Sequence, residues 1–356
     1  MIFPKDIFSR RRPVIGIDVG SSSLKLLDIQ DAKDGPRLIN FHRLSLPAGV
    51  IVQGEVRQPD LLAEVLGELV LSCGCQKRPV VTSLSGNLTL AKKINFSQMS
   101  EGELRGLLQD EGSKYLPIQD VSDVYLDFQI LKPSDVNPNQ MEVLIVAAQR
   151  AVVDDYTAAF AKAGLEIAIM DVDSYALETM YEENYAPEEE ETVALLDIGA
   201  GSTVVNVVKG GMSVFSRNLL MGCDLVEAEY RKIDGSSWVD NAAYGTGEVR
   251  EPWPEELVRN VIQAAEQLLQ EIESSLDYVK FQTRETVGQV VISGGGAFLP
   301  DFDRILGQRL GLETTIVDPL KKIDLGHCRQ DTKVLKRIAP LVAVGVGLAL
   351  RRPDDK

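Results

Sequence analysis

Apolar residues along this chain come in short bursts that stop at glycine- and hydroxyl-rich turns, and elsewhere recur at helical spacing. The stretch Val14 to Ile29, VIGIDVGSSSLKLLDI, holds one apolar run (Val14, Ile15, Ile17), the turn Asp18-Val19-Gly20-Ser21-Ser22-Ser23 and a second run from Leu24. It predicts a strand, a tight turn and another strand. Arg37 to Leu46 continues as strand-like alternation. Gln58 to Cys73 places Leu61, Leu62, Val65, Leu66, Leu69 and Val70 at helical spacing behind a first-turn Pro59, and Arg78 to Leu84 is β-rich. Strands, a helix and another strand predict a mixed sheet in an α/β lobe.

From about Lys92 the texture changes. Ser97 to Tyr115 reads as a helix, Tyr125 to Leu131 and Met141 to Gln149 as a hairpin, and Val152 to Ala163 as a helix closed by Gly164. This predicts a compact insert on the first lobe over 92–164, with the chain returning to that lobe over 165–185. The acidic, proline-bearing Glu182 to Glu191 has the composition of an exposed connection between lobes. Beyond it, a strand–turn–strand over Thr192 to Gly211, a long helix over Glu255 to Gln282 and a strand–glycine–helix over Val290 to Phe302 predict a second lobe. Its core is 192–230 and 285–327, with an accessory part at 231–284. A buried helix in Ile338 to Leu350 belongs to a last segment, 328–351, placed back on the first lobe.

Composition narrows the classes. A length of 356 residues allows a bilobed protein, and 44% hydrophobic with 25% charged residues is ordinary for a globular one. A net charge of −16 argues against nucleic acid as a general partner, because phosphate contacts need clustered Lys and Arg. It leaves room for a single nucleotide held by backbone N–H groups and a metal. Cys73, Cys75, Cys223 and Cys328 form no recurrent metal-binding or disulfide framework, and His42 and His327 read as surface or satisfied polar residues. No stretch reaches the roughly 20 apolar residues of a membrane helix. The N-terminal MIFPKDIFSRRR reads as a frayed tail, with adsorption to an anionic membrane face as the alternative.

The chemistry concentrates in three turns. Gly20 permits a tight turn, Ser21, Ser22 and Ser23 follow, and Lys25 can fold back over it, so the tip offers N–H groups, hydroxyls and a cation to a phosphate chain. Asp18 is placed to hold a metal through water. TVALLDIGAGSTVVNVV repeats the design: Asp197 and Gly199 match Asp18 and Gly20, followed by Ala200, Gly201 and Ser202. Such a repeat implies two lobes of related topology whose tips approach one phosphate chain from opposite sides, with Asp18 and Asp197 flanking a Mg²⁺. The third turn, VVISGGGAFLPDF, sets Gly294, Gly295 and Gly296 before Phe298, where a flat ring can lie on bare backbone.

In this order the three turns resemble the phosphate-1, phosphate-2 and adenosine motifs of the actin, Hsp70 and sugar-kinase superfamily. The resemblance implies an actin-like, ribonuclease H-like duplicated α/β fold binding ATP and Mg²⁺, with a small inserted α+β subdomain on the first lobe. Leu220 to Asp224 resembles the turn whose glycine, here Gly222, passes close to the nucleotide. Glu273 and Ser274 stand where the superfamily places a Lys-Glu pair beside the base. Within it, the order of pieces is similar to the FtsA and PilM branch. VYLDFQIL, KPSDVNPNQMEVLIVAAQR, IMDVDSYALE and PLVAVGVGLALR, with no amphipathic tail after Arg352, tip the resemblance toward the type IV pilus assembly family PilM. That implies a cytoplasmic scaffold, peripheral to the inner membrane, that binds the N-terminal peptide of a PilN-type membrane protein and leaves pilus motor ATPases open as further partners. Asp171 and Asp173 lie in the segment where a water-positioning group belongs but out of clean register, so the resemblance implies a weak ATPase at most. An FtsA-like filament protein and a metabolite kinase are the alternatives.

Overall fold

The computed structural model describes residues 13–134, 137, 139–227, 231 and 254–352. The N-terminal stretch, part of the KPSDVNPNQ turn and most of the accessory segment 231–284 before its long helix lie outside the described residues.

The apolar run ending at Asp18 forms β1 (Ile15–Val19), which turns back into β2 (Ser23–Ala32), β3 (Gly35–Ser45) and the short hairpin β4 (Ile51–Val52) and β5 (Glu55–Val56). Helix α1 (Pro59–Cys73) starts at the proline and ends on Gly74 in the left-handed region, and β6 (Pro79–Leu84) follows. A 3-10 turn (Gly86–Leu88) leads into β7 (Thr89–Ser97), α2 (Glu101–Tyr115), β8 (Val124–Pro133), β9 (Gln140–Gln149) and α3 (Arg150–Lys162). The chain returns through β10 (Glu166–Val172) and α4 (Asp173–Tyr185). The second lobe has β11 (Thr192–Ile198), β12 (Thr203–Lys209), β13 (Met212–Leu219), α5 (Glu255–Thr283), β14 (Gln289–Gly294), a 3-10 turn (Gly295–Phe298), α6 (Phe302–Leu310) and β15 (Glu313–Ile316). Helix α7 (Thr332–Arg337) and α8 (Ala343–Leu350) close the chain.

The duplication is complete at the level of sheet topology. One five-stranded sheet runs β10-β6-β1-β2-β3 and the other β15-β14-β11-β12-β13. In each, the central strand pairs antiparallel with the next strand in sequence and parallel with the strand reached by a helical crossover. Each sheet packs on its own apolar cluster, the first on α1 and α3 and the second on α5 and α6. A third cluster joins the lobes: Leu27, Ile29 and Leu38 meet Leu177 and Met180 of α4, Val193 and Leu195 of β11, and Val342, Ala343 and Val346. Here α8, α4 and β1 approach backbone to backbone. A Cβ on Gly16 would stand 2.6 Å from the Ala349 nitrogen, and one on Gly347 would run into the Ala176 carbonyl.

The insert differs from its reading in the sequence at both ends. Residues 89–97 are strand β7, pairing with β9, so its three-stranded sheet is β7-β9-β8 and begins before Lys92. The helix expected from Ser97 starts at Glu101, behind a capping box between Ser100 and Glu103. Helix α3 buries Val152, Tyr156, Ala159 and Phe160 in the first-lobe core rather than in the insert, whose own core is the β7-β9-β8 face against α2. The acidic connection is shorter than expected because α4 runs on to Tyr185. All four cysteines are free thiols, and no helix among the described residues is long and apolar enough to cross a membrane.

Candidate functional site

The two hairpin tips are closed by the same hydrogen bond. Gly20 N donates to the Ser23 carbonyl at 3.1 Å, and Gly199 N donates to the Ser202 carbonyl at 2.9 Å. Asp18 and Asp197 therefore sit at equivalent places, two residues before each of these glycines. The tips also meet: the Gly201 N–H donates to the Ser21 hydroxyl at 3.2 Å across the lobes. Ser22 is exposed at the first tip and its carbonyl accepts from Leu46 N at 2.8 Å, whereas Ser23 is buried.

Beneath the tips the two aspartates are joined by a third, Asp173, the first residue of α4. Lys25 Nζ donates to Asp18 Oδ2 at 2.9 Å, Ser293 Oγ to Asp197 Oδ1 at 2.8 Å, and Ser83 Oγ to Asp173 Oδ1 at 2.6 Å. Asp173 and Asp197 keep a partial opening to the cleft but are otherwise surrounded by protein. Burial, partly offset by the Ser83 hydroxyl and reinforced by the charges of Asp18 and Asp197, pushes the Asp173 carboxyl up to about 8. Burial also raises Asp197, to about 6, against the Ser293 hydroxyl and with added repulsion from Asp18. Asp18 and Asp197, with Asp173 beside them, gather hard oxygen donors around a single lysine, a donor set that suits a divalent cation such as Mg²⁺. No group of three or more acidic, histidine or cysteine side chains among the described residues is arranged to grip an ion directly. Asp171, the other acidic residue of the connecting segment, points elsewhere: Arg351 Nε donates to it at 2.6 Å.

Two glycine turns hold the second tip from behind. Cys223 N donates to the Gly199 carbonyl and Asp224 N to the Ala200 carbonyl, both at 2.9 Å, and a Cβ on Gly222 would strike the Gly199 carbonyl and stand 2.6 Å from that of Ala200. Gly294, at φ +72°, leaves 2.6 Å between a hypothetical Cβ and the Ile198 carbonyl, and 2.9 Å to Asp197 Oδ1. Gly296 packs equally closely on the Ile198 side chain, Gly295 is half-buried between them, and the Phe298 ring lies in the second-lobe core. On α5, Glu273 accepts from Arg309 Nε at 3.1 Å, Ser274 is exposed, and Ser275 is the buried neighbour.

The sequence reading thus placed Asp18, Gly20 to Ser23, Lys25, Asp197, Gly199 to Ser202, Gly222 and the Gly294 turn around one cleft, and the structure brings them together there. It does not anticipate the Ser83 and Ser293 hydroxyls that donate to Asp173 and Asp197, nor that Asp173 rather than Asp171 lies beside them. The serines had one available signal: each sits on a strand, β6 or β14, that runs parallel beside a central strand.

Duplicated sheets, facing tips and a carboxylate floor define a two-lobed protein of the actin-like class. The chain belongs to the family of the type IV pilus assembly protein PilM, whose profile matches residues 16–353. Among solved structures it is similar to a chain of a PilM–PilN type IV pilus biogenesis complex, at 28% identity and a TM-score of 0.81, over 96% of this chain and 99% of that one. It shares its fold with the ethanolamine utilization protein EutJ from Carboxydothermus hydrogenoformans, at 16% identity and a TM-score of 0.53, over 98% of this chain and 92% of that one.

Proposed function

We propose that the protein is an ATP- and Mg²⁺-binding scaffold of the inner-membrane platform of a type IV pilus, and that it captures the N-terminal cytoplasmic peptide of a PilN-type membrane protein. Its place is then cytoplasmic, peripheral to the membrane through that partner. The likeness to a PilM–PilN complex chain over nearly the full length carries the partner assignment. The meeting of Ser21 with Gly201 above Asp18, Asp173 and Asp197 carries the nucleotide assignment.

In this reading Gly20 and Gly199 shape the turns, the hydroxyls and remaining N–H groups of Ser21, Ser22, Ala200 and Ser202, with Lys25, hold the phosphates, Gly201 joins them by giving up its bond to Ser21, and Asp18 and Asp197 hold the cation. Gly222, Gly294, Gly295 and Gly296 keep the backbone low enough for the nucleoside. Phe298 contributes through its backbone, since its ring is in the core. Glu273 and Ser274 border the base, with Glu273 already engaged by Arg309. The cation supplies charge neutralisation between triphosphate and carboxylates. Asp173, held by the Ser83 hydroxyl beside Asp18 and Asp197, is the group best placed to orient water. Phosphoryl transfer depends on positioning the attacking water, and Asp173 is tied to Ser83, so hydrolysis is slow in this reading, far below a turnover of roughly 10 per second.

The peptide surface is the outer face of the inserted sheet. Its inner face (Met141, Val143, Ile145) is buried on α2, while Leu144 and Val146 on the other face are half-exposed and stand outside the hydrophobic cores. The N-terminus of α3 walls one end, where Tyr125 donates to Asp154 and lies under Arg150. A face carried on a hydrogen-bonded sheet is formed in advance, so the ordering entropy lost on binding is mainly the peptide's.

Isothermal titration of Mg·ATP and of a synthetic PilN-type N-terminal peptide tests both halves. Binding of each to wild type is expected, with Asp18→Ala and Asp197→Ala losing Mg·ATP. Peptide binding unaffected by replacing both Leu144 and Val146 with Asp would place the partner elsewhere.

A further inference from the structure

Ser213 joins the second lobe to the insert, and its polar groups are all committed. Ser213, near the start of β13, donates its N–H to Glu178 Oε2 of α4 at 2.9 Å and its hydroxyl to Asn206 Oδ1 at 2.7 Å, and its carbonyl accepts from Lys93 Nζ at 2.8 Å. Lys93 is on β7, the strand of the insert nearest this lobe. Asn206, fully buried on β12, donates in turn to the Ser174 carbonyl at 2.8 Å, one residue past Asp173. A continuous hydrogen-bonded chain thus runs from the carboxylate floor through β12 and β13 to the insert.

The other end of β13 makes a second clasp on the same stretch. Asn218 Nδ2 donates to Ser85 Oγ at 2.8 Å and to Asn87 Oδ1 at 2.9 Å, just beyond Ser83, which holds Asp173. β13 and β7 are both outermost strands of their sheets, so these joins are made by side chains and no backbone ladder locks them.

We propose that Asn218 and Lys93 are positioning residues through which the geometry of the nucleotide cleft sets the peptide-binding face of the insert. This rests on the proposed function. β13 grips the stretch 85–93 at two points. That stretch leaves the cleft beside Ser83 and enters β7, where Lys93 stands opposite Leu144 on β9. A ligand that changes the distance between the tips must move β13 against this stretch, and β7 moves with it.

The test is the ratio of peptide Kd values with and without a non-hydrolysable Mg·ATP analogue, measured by calorimetry. Wild type is expected to show a ratio in the range of roughly 5- to 150-fold. Lys93→Met and Asn218→Ala each lower it, the double variant brings it to unity, and Lys93→Arg restores it. The analogue's own Kd, measured without peptide, stays at the wild-type value in every variant. In parallel, amide exchange over 86–97 slows on adding the analogue to wild type and does not change in the double variant. A double variant that keeps the wild-type ratio overturns the proposal, as does a wild type that binds both ligands with a ratio of one. A wild type that fails to bind either ligand removes the underlying reading, and the coupling with it.

Discussion

The two hairpin tips share a backbone and differ in how they compensate a buried acid. In the first, the residue opposite Asp18 across the ladder is Lys25, and the two are paired. In the second, the residue opposite Asp197 is Val204, and a serine hydroxyl from the neighbouring strand is its hydrogen-bond donor. A full counter-charge has been kept in one copy and a dipole in the other. The consequence is an asymmetric floor: a fixed ion pair on one side, and on the other a carboxyl raised by burial that gains most from an added cation. Duplication of the fold preserved the turn because its geometry is set by the chain itself, while the side chains around each acid were free to diverge.

That contrast can be broken most severely at Lys25. Lys25→Met strands Asp18 beside two other carboxylates, and a loss of roughly 3–5 kcal/mol is expected in denaturant unfolding. Added Mg²⁺ should recover part of it, and a loss below about 1 kcal/mol would mean that the pair is not the compensating device. Next comes Gly222→Ala, which forces a methyl into the Gly199 and Ala200 carbonyls and should cost about 3 kcal/mol or more. Gly20→Ala, whose closest contacts would be 3.2 Å, should cost clearly less in the same assay.

The floor itself gives a signed pH effect. An unfolded chain releases the protons of Asp173 and Asp197 near the ordinary 3.8, while the folded protein keeps them until about 8 and about 6. Between these limits the native state binds more protons, so these two groups make stability fall as pH rises from about 4 to 8. Asp173→Asn should flatten that slope and raise the melting temperature at pH 8 by the equivalent of a few kcal/mol at most. An unchanged slope would show that the floor is hydrated enough to ionise freely. The smallest effect is that of Ser21→Ala, which removes the bond between tips and should cost about 1 kcal/mol. A much larger loss in thermal unfolding would show that the tips bear structural load.

How far the chain was legible follows from where each constraint lies. The hairpins were readable because their signals, an apolar run, Asp-x-Gly and a second apolar run, are contiguous. Strand β7 was not, because Ala91, Lys92 and Lys93 put small and charged residues on an exposed sheet edge that reads as loop. Ser100 and Glu103, three apart, were the signal that could have moved the start of α2. Assigning α3 to the insert failed for a different reason: an amphipathic helix announces that it has a buried face but not which core receives it. Asp171 and Asp173 were inseparable in sequence because the residue that decides between them, Arg351, is 180 positions away.

The backbone-to-backbone crossing at Gly16 and Gly347 limits what kind of motion this architecture can support. At Gly16 and Gly347 there is no room for a side chain between the backbones, so sliding α8 along α4 by a turn would drive a bulkier residue into the Ala176 carbonyl. What is left is swivelling about a fixed pin. Excursions are then smallest beside Asp18, 3.7 Å from where a Gly345 Cβ would stand, and grow with radius toward the rims. The molecule would work as a caliper, reading a small change at its jaws as a larger one far from the pivot.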